Sequence, residues 1–120
     1  MREKYKSLLF NCANYALQSY TNISGHGVES IFNETTDTKV FIITHNDTLF
    51  ITGPGSESYT DWMLDFQIWR TKVPYFDNAL VHAGFVKIYE SIAVSLHEKV
   101  AKMLESNSNI CNIVCTGHSL

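Results

Sequence analysis

Two short groups of residues have the types and spacing that carry chemistry. Gly117-His118-Ser119-Leu120 follows directly on the apolar run Ile110-Cys111-Asn112-Ile113-Val114-Cys115. A strand that delivers a serine to a sharp turn leaves its hydroxyl exposed at the carboxyl end of a sheet, the arrangement of a nucleophilic serine in a G-x-S-x-G elbow. Gly53-Pro54-Gly55-Ser56 places a second serine behind two glycines and a proline, where the backbone must turn tightly or expose its amides. Exposed amides beside a hydroxyl suit an oxyanion-binding turn; a plain polar turn is the alternative. A Gly-x-Ser alone is equally compatible with an ordinary strand-to-loop turn, so the surrounding elements must decide.

Those elements are legible from periodicity. Tyr5, Leu8, Leu9, Cys12, Ala16 and Tyr20 recur at helical steps and predict an amphipathic helix over residues 3–19, ending before Gly25-His26-Gly27. Residues 39–44 and 48–52 are rich in β-branched and aromatic side chains around His45-Asn46-Asp47, which predicts an antiparallel hairpin. Trp62, Met63, Leu64 and Phe66 beside Asp61 and Asp65 suggest a helix of one or two turns over residues 58–66, and residues 66–70 a strand. Phe85, Ile88, Tyr89, Ile92, Ala93, Leu96, Val100, Met103 and Leu104 form one stripe, so a long helix spans residues 84–106. The final strand, residues 110–116, is apolar on both faces, as in a parallel sheet covered by helices; helix plus strand make the second half of a βαβ unit.

Composition narrows the partners. A formal charge of -3 with no basic cluster provides no footprint for nucleic acid. No stretch approaches the roughly 20 apolar residues of a membrane span, and Leu8-Leu9-Phe10 is too short for a signal-peptide core, so a soluble, intracellular protein is expected. Cys12, Cys111 and Cys115 lack a C-x-x-C spacing; reduced, buried thiols are expected, with Cys111 and Cys115 in the core. No metal and no cofactor is expected. His26, His45 and His97 read as surface or turn histidines.

Two upstream segments resemble motifs of the class 3 (fungal-type) lipases, α/β-hydrolases acting on acylglycerols and related esters. Val81-His82-Ala83-Gly84-Phe85 is similar to that family's V-H-x-G-F signature, and residues 113–120 resemble its I-x-x-T-G-H-S-L-G-G. Gly55-Ser56, six residues before Asp61-Trp62, resembles its F-R-G-[ST] turn and following D-W. The order and spacing agree over roughly residues 3–120.

The resemblance implies an incomplete α/β-hydrolase fold: amino-terminal helix, hairpin, lid-like segment, long helix and nucleophile strand, all within one domain over residues 1–120. It implies Ser119 as nucleophile, with an oxyanion hole from the Leu120 amide and the amide and hydroxyl of Ser56. Residues 58–66 correspond to the lid, with Trp62, Met63 and Leu64 as its apolar face or else permanent core, and transient contact with a lipid interface. His82, Gly117 and His118 would support the site; His82 orients a loop by hydrogen bonding, and His118 is not the triad base. The triad order Ser, Asp or Glu, His puts both partners beyond residue 120, since Asp61, Asp65, Asp77 and His97 precede the serine. The 120-residue chain alone is therefore expected to be inactive, its last strand uncovered on one face and its solubility poor.

One departure matters. Gly53 and Pro54 replace the family's aromatic and arginine, removing a planar cation that would tie the oxyanion loop to carboxylates. It motivates a rival, a lipase-like binding or regulatory protein without turnover. A different α/β-hydrolase, such as a peptidase or thioesterase, explains the elbow but not residues 81–85 or Gly55-Ser56.

Overall fold

The computed structural model describes residues 2–54 and 70–117. The β-rich segments on either side of Asn46-Asp47 form the expected hairpin, β2 (Thr38–His45) and β3 (Thr48–Gly53), with His45 opposite Thr48. Asn46 makes the turn at a left-handed φ of 54°, a conformation asparagine tolerates better than most residues. A strand not expected from the sequence, β1 (Val28–Asn33), pairs antiparallel with β2. The final strand, β6 (Asn112–Gly117), pairs parallel with β3, giving a mixed sheet of order β1-β2-β3-β6. A separate two-stranded ribbon joins β4 (Arg70–Val73) and β5 (Ala79–His82) across a 3-10 turn, Pro74–Phe76, closed by Asp77 and Asn78 at left-handed φ. Of the expected strand over residues 66–70, only Arg70 is described, and it opens β4.

Two helices cover opposite faces. The first, α1 (Arg2–Gln18), sets Leu8, Cys12 and Tyr15 against Phe41, Ile43, Phe50 and Val114. Tyr15 meets Phe50 edge-on, with centroids 5.0 Å apart. The long helix α2 (Ala83–Ser106) sets Ile92, Leu96, Val100 and Met103 against Ile31, Ile42, Leu49 and Ile51. Alternate residues of β2 and β3 thus feed alternate cores, as a pleated sheet buried on both faces requires. Asn33 and Thr36 fasten the turn after β1 to α2: Asn33 Nδ2 donates to the Ser91 carbonyl, and the Thr36 and Ser91 hydroxyls lie 2.9 Å apart.

The apolar stripe of α1 is turned from its expected position. Tyr5 and Leu9 are exposed, Leu9 by 67%, because the helix has apolar residues around much of its circumference and only the Leu8-Cys12-Tyr15 side faces the sheet. Likewise β6 is not covered on both faces. Val114 packs under α1, but Ile113 on the opposite side is 52% exposed. Cys111 and Cys115 are exposed free thiols and Cys12 is half-buried, correcting the expectation of buried cysteines. The physical reason is position: α2 packs over β1 and β2, so the face of β6 opposite α1 lacks a covering helix among the described residues.

The register of β6 is pinned at its amino end. The Cys111 and Asn112 amides both donate to the Asp47 carbonyl, and Asn109 Nδ2 donates to the Asn46 carbonyl. The Thr48 hydroxyl, then the Cys111 thiol, hold the Asp47 carboxyl below the usual carboxylate range. A one-residue slip would exchange the two faces of β6 and break these bonds, so the tip of the β2-β3 hairpin fixes where β6 must end.

Candidate active site

Counted from that clamp, the register runs Phe50 with Val114, Thr52 with Thr116, and Gly53 with Gly117. The carboxyl ends of β3 and β6 therefore finish side by side, and the two segments singled out for chemistry leave the sheet from neighbouring strands. Ser56, Trp62, Met63, Leu64, His118, Ser119 and Leu120 lie outside the described residues, as does the lid-like segment. Gly117 and His82 are the described members of the candidate set.

Gly117 ends β6 opposite Gly53, and an added Cβ would sit 3.7 Å from the Gly53 carbonyl, an ordinary contact. The tighter constraint is at Gly53 itself. A Cβ there would meet the Lys39 carbonyl at 2.9 Å, closer than real side chains approach backbone. The departure from the family pattern is thus built into the sheet, since β2 passes too near for an aromatic side chain without a backbone shift. Gly53→Ala is expected to destabilise the chain by about 1–3 kcal/mol, the cost of overpacking. That exceeds the about 0.4–1 kcal/mol usually gained when a glycine becomes alanine in a compatible conformation. Urea unfolding of the two proteins checks the sign, and an unchanged or raised midpoint would contradict it.

Two polar groups at these strand ends carry no signal in the sequence. The Thr116 hydroxyl donates to the Cys12 carbonyl at 3.0 Å, tying the end of β6 to α1. Thr52, its register partner on β3, is buried, and its hydroxyl has no hydrogen-bond partner among the described residues. Such an unpaired buried group costs about 1–3 kcal/mol. Threonines on a strand carry no local signal for either role; only the pairing of β3 with β6 and the seating of α1 reveal them.

His82 stands on the β4-β5 ribbon, opposite Arg70, and is the N-cap of α2. Its Nδ1 accepts from the Gly84 amide at 3.0 Å, and its ring packs beside Phe85 at a centroid distance of 5.1 Å. Gly84 is buried. His82 therefore fixes the start of the helix that leads into β6. Removing the cap acceptor in His82→Ala should lower stability by about 0.5–2 kcal/mol, and Asn, a good cap residue, should restore most of it. Matched denaturant midpoints for wild type and His82→Ala would contradict this role. His26, His45 and His97 are all exposed.

No group of three or more His, Cys, Asp or Glu side chains that could hold a metal is gathered among the described residues. None of their helices is long and apolar enough to cross a membrane. No curated protein matches the chain. The family model described as Lipase (class 3) matches residues 50–120, from within β3 through the nucleophile-like serine, which is more than half of the chain. The match starts later than the resemblance noted from the motifs and leaves out α1, β1 and β2. On this match, the chain belongs to the class 3 lipase family.

Proposed function

We propose that this chain supplies the nucleophile and oxyanion side of a serine hydrolase that cleaves carboxylic esters of acylglycerols or related lipids in its full-length form. The observation that carries the proposal is the parallel register ending in Gly53 and Gly117. Neighbouring strands lie about 4.8 Å apart, Ser56 is three residues past one glycine, and Ser119 is two past the other. At no more than about 3.5 Å per residue, the chain tethers both serines within about 7–10 Å of those adjoining strand ends. An ester carbonyl held between them would have its attacking oxygen on one side and its stabilising donors on the other.

Ser119 Oγ attacks the carbonyl carbon and gives its proton to a histidine, expected with its acidic partner after residue 120 by the order of α/β-hydrolase triads. Negative charge develops on the carbonyl oxygen, and the Leu120 amide with the amide and hydroxyl of Ser56 receive it. Preplaced donors of this kind are worth about 3 kcal/mol each. The alcohol leaves with the proton held by the histidine, and water repeats the sequence on the acyl-serine. Gly117 permits the close turn, His118 extends it and His82 holds α2 in place. Trp62, Met63 and Leu64 form the apolar face of a lid that meets the lipid surface. The described residues form part of one such domain.

The second proposal is a lipase-like binding or regulatory protein without turnover, favoured by Gly53 and Pro54 where the family has an aromatic and arginine. Fatty-acid release from an acylglycerol emulsion by the full-length protein separates the two. Release above the uncatalysed rate supports the hydrolase, whereas binding to the emulsion without release supports the rival.

A further inference from the structure

Between α2 and the 3-10 turn lies an open groove of about 640 Å³. Its floor is two adjacent columns of the helix: Tyr89, Ala93 and His97, and beside them Glu90, Val94 and Glu98. These are i, i+4, i+8 neighbours on one face, and the small Ala93 lets the Tyr89 side chain reach His97. The wall is the 3-10 turn, where Tyr75 and Phe76 stand exposed with centroids 5.1 Å apart. Tyr75 also approaches Tyr89 at 6.1 Å, tilted by 44°. The Tyr89 hydroxyl and His97 Nε2 lie 2.9 Å apart, which holds the Tyr89 ring in place.

Three rings packed in a row, Phe76 on Tyr75 and Tyr75 on Tyr89, with two carboxylates beside them, have a definite electrostatic preference at the faces they leave open. Aromatic faces carry negative potential and attract a cation within about 6 Å. Glu90 and Glu98 add full charges of the same sign, and none of the described lining residues is Lys or Arg. Glu90 lines the groove beside Tyr75, and desolvation, then Glu90, raises the Tyr75 phenol's pKa. Between the carboxylates the surface is hydrocarbon, from Ala93, Val94 and the rings. A bare ammonium would leave its N–H bonds unpaired on those rings, whereas a methylated one has no N–H to satisfy and brings apolar methyl groups.

We infer that this groove binds a quaternary ammonium group, the choline head of a lipid surface, with Tyr75, Phe76 and Tyr89 against the methyl groups and Glu90 and Glu98 balancing the charge. The cation preference stands on the groove alone; its assignment to a lipid head group rests on the lipid-ester reading above. The site would hold the protein at a choline-bearing interface by a surface separate from the strand ends that carry Gly53 and Gly117.

The test begins with the ion. Backbone amide NMR shifts of Tyr75, Phe76, Tyr89 and Glu90 in the full-length protein should move saturably with tetramethylammonium chloride and not with ammonium chloride at equal ionic strength. Tyr89→Ala should weaken binding about fivefold, the worth of one partly exposed cation–π contact, while Tyr89→Phe, which keeps the ring and loses only its bond to His97, should weaken it less. Glu90→Gln should weaken it in the same direction. Equal responses to the two salts, or a Tyr89→Ala protein that binds unchanged, would overturn the proposal without depending on whether any variant folds differently. Vesicles of phosphatidylcholine should retain the protein better than those of phosphatidylethanolamine, and tetramethylammonium should release it. Equal retention would overturn the lipid source. Labelling of Ser119 by a fluorophosphonate in the full-length protein separates the two proposals: labelling without tetramethylammonium binding sinks the groove alone, and binding without labelling upholds the groove while sinking the hydrolase.

Discussion

Ser119→Ala in the full-length protein is expected to lower p-nitrophenyl ester turnover by a factor on the order of 10⁶, with the protein still folded. That is the scale on which removing a triad nucleophile acts, because the base and the acid then have no bond to make. A residual rate above water should survive, since the oxyanion donors still stabilise the tetrahedral charge when water attacks directly. Stability should change little, because the substitution removes one hydroxyl beyond the end of β6 and leaves the clamp at Asp47 and the Thr116 bond to Cys12 intact. Activity that survives in Ser119→Ala would assign the chemistry to another group.

Ser56→Ala should cost about 10²-fold in kcat with KM nearly unchanged. Only the hydroxyl is lost, since the backbone amide of the same residue remains, and loss of a single oxyanion donor typically costs about 10²–10³-fold. The split between kcat and KM is the informative part. A donor that meets the oxyanion works in the transition state more than on the bound ester, so a rise in KM at constant kcat would instead make Ser56 a substrate-binding turn residue. The carboxyl end of β3 makes this residue a sensitive reporter. Gly53 is pressed against the Lys39 carbonyl, so the direction in which the chain leaves β3 is set by β2 as much as by its own sequence.

Much of this architecture is written in local pattern. The β2-β3 hairpin announces itself through β-branched residues around Asn46-Asp47, and α2 through a long stripe whose observed bounds, Ala83–Ser106, lie within a residue of the expected ones. The last strand was legible as the closing strand of a βαβ unit, and it does pair parallel with β3. What local pattern does not carry is anything set by a neighbour. Strand β1 escapes because only Ile31 among its residues is buried and Phe32 points outward, so period-two alternation is missing. The ribbon of β4 and β5 is four residues a strand, too short to show a period. Cys111 and Cys115 look like core residues by type and are exposed because Cys111 precedes β6 and Cys115 lies on the face of β6 that α1 does not cover.

The candidate site divides along the same line. Serine after glycine at the end of an apolar strand is a one-dimensional signal, and so is the V-H-x-G-F resemblance around His82. That His82 serves as a helix cap, accepting from Gly84, follows from a hydrogen bond the sequence only hints at by placing His before Ala-Gly at a helix start. The meeting of Gly53 and Gly117 is not local at all. It depends on Asp47 holding the loop before β6, which fixes a register over six residue pairs and brings two distant segments to one edge of the sheet. The same long-range origin explains why glycine occupies position 53, where the family motif has an aromatic.

The most direct test of the account is to treat the full-length protein with a fluorophosphonate probe and map the adduct by mass spectrometry. A single modified residue is expected, Ser119, labelled more slowly in Ser56→Ala and not at all in Ser119→Ala. A folded protein that takes no label, or takes it at another serine, would contradict the assignment of Ser119 as the nucleophile.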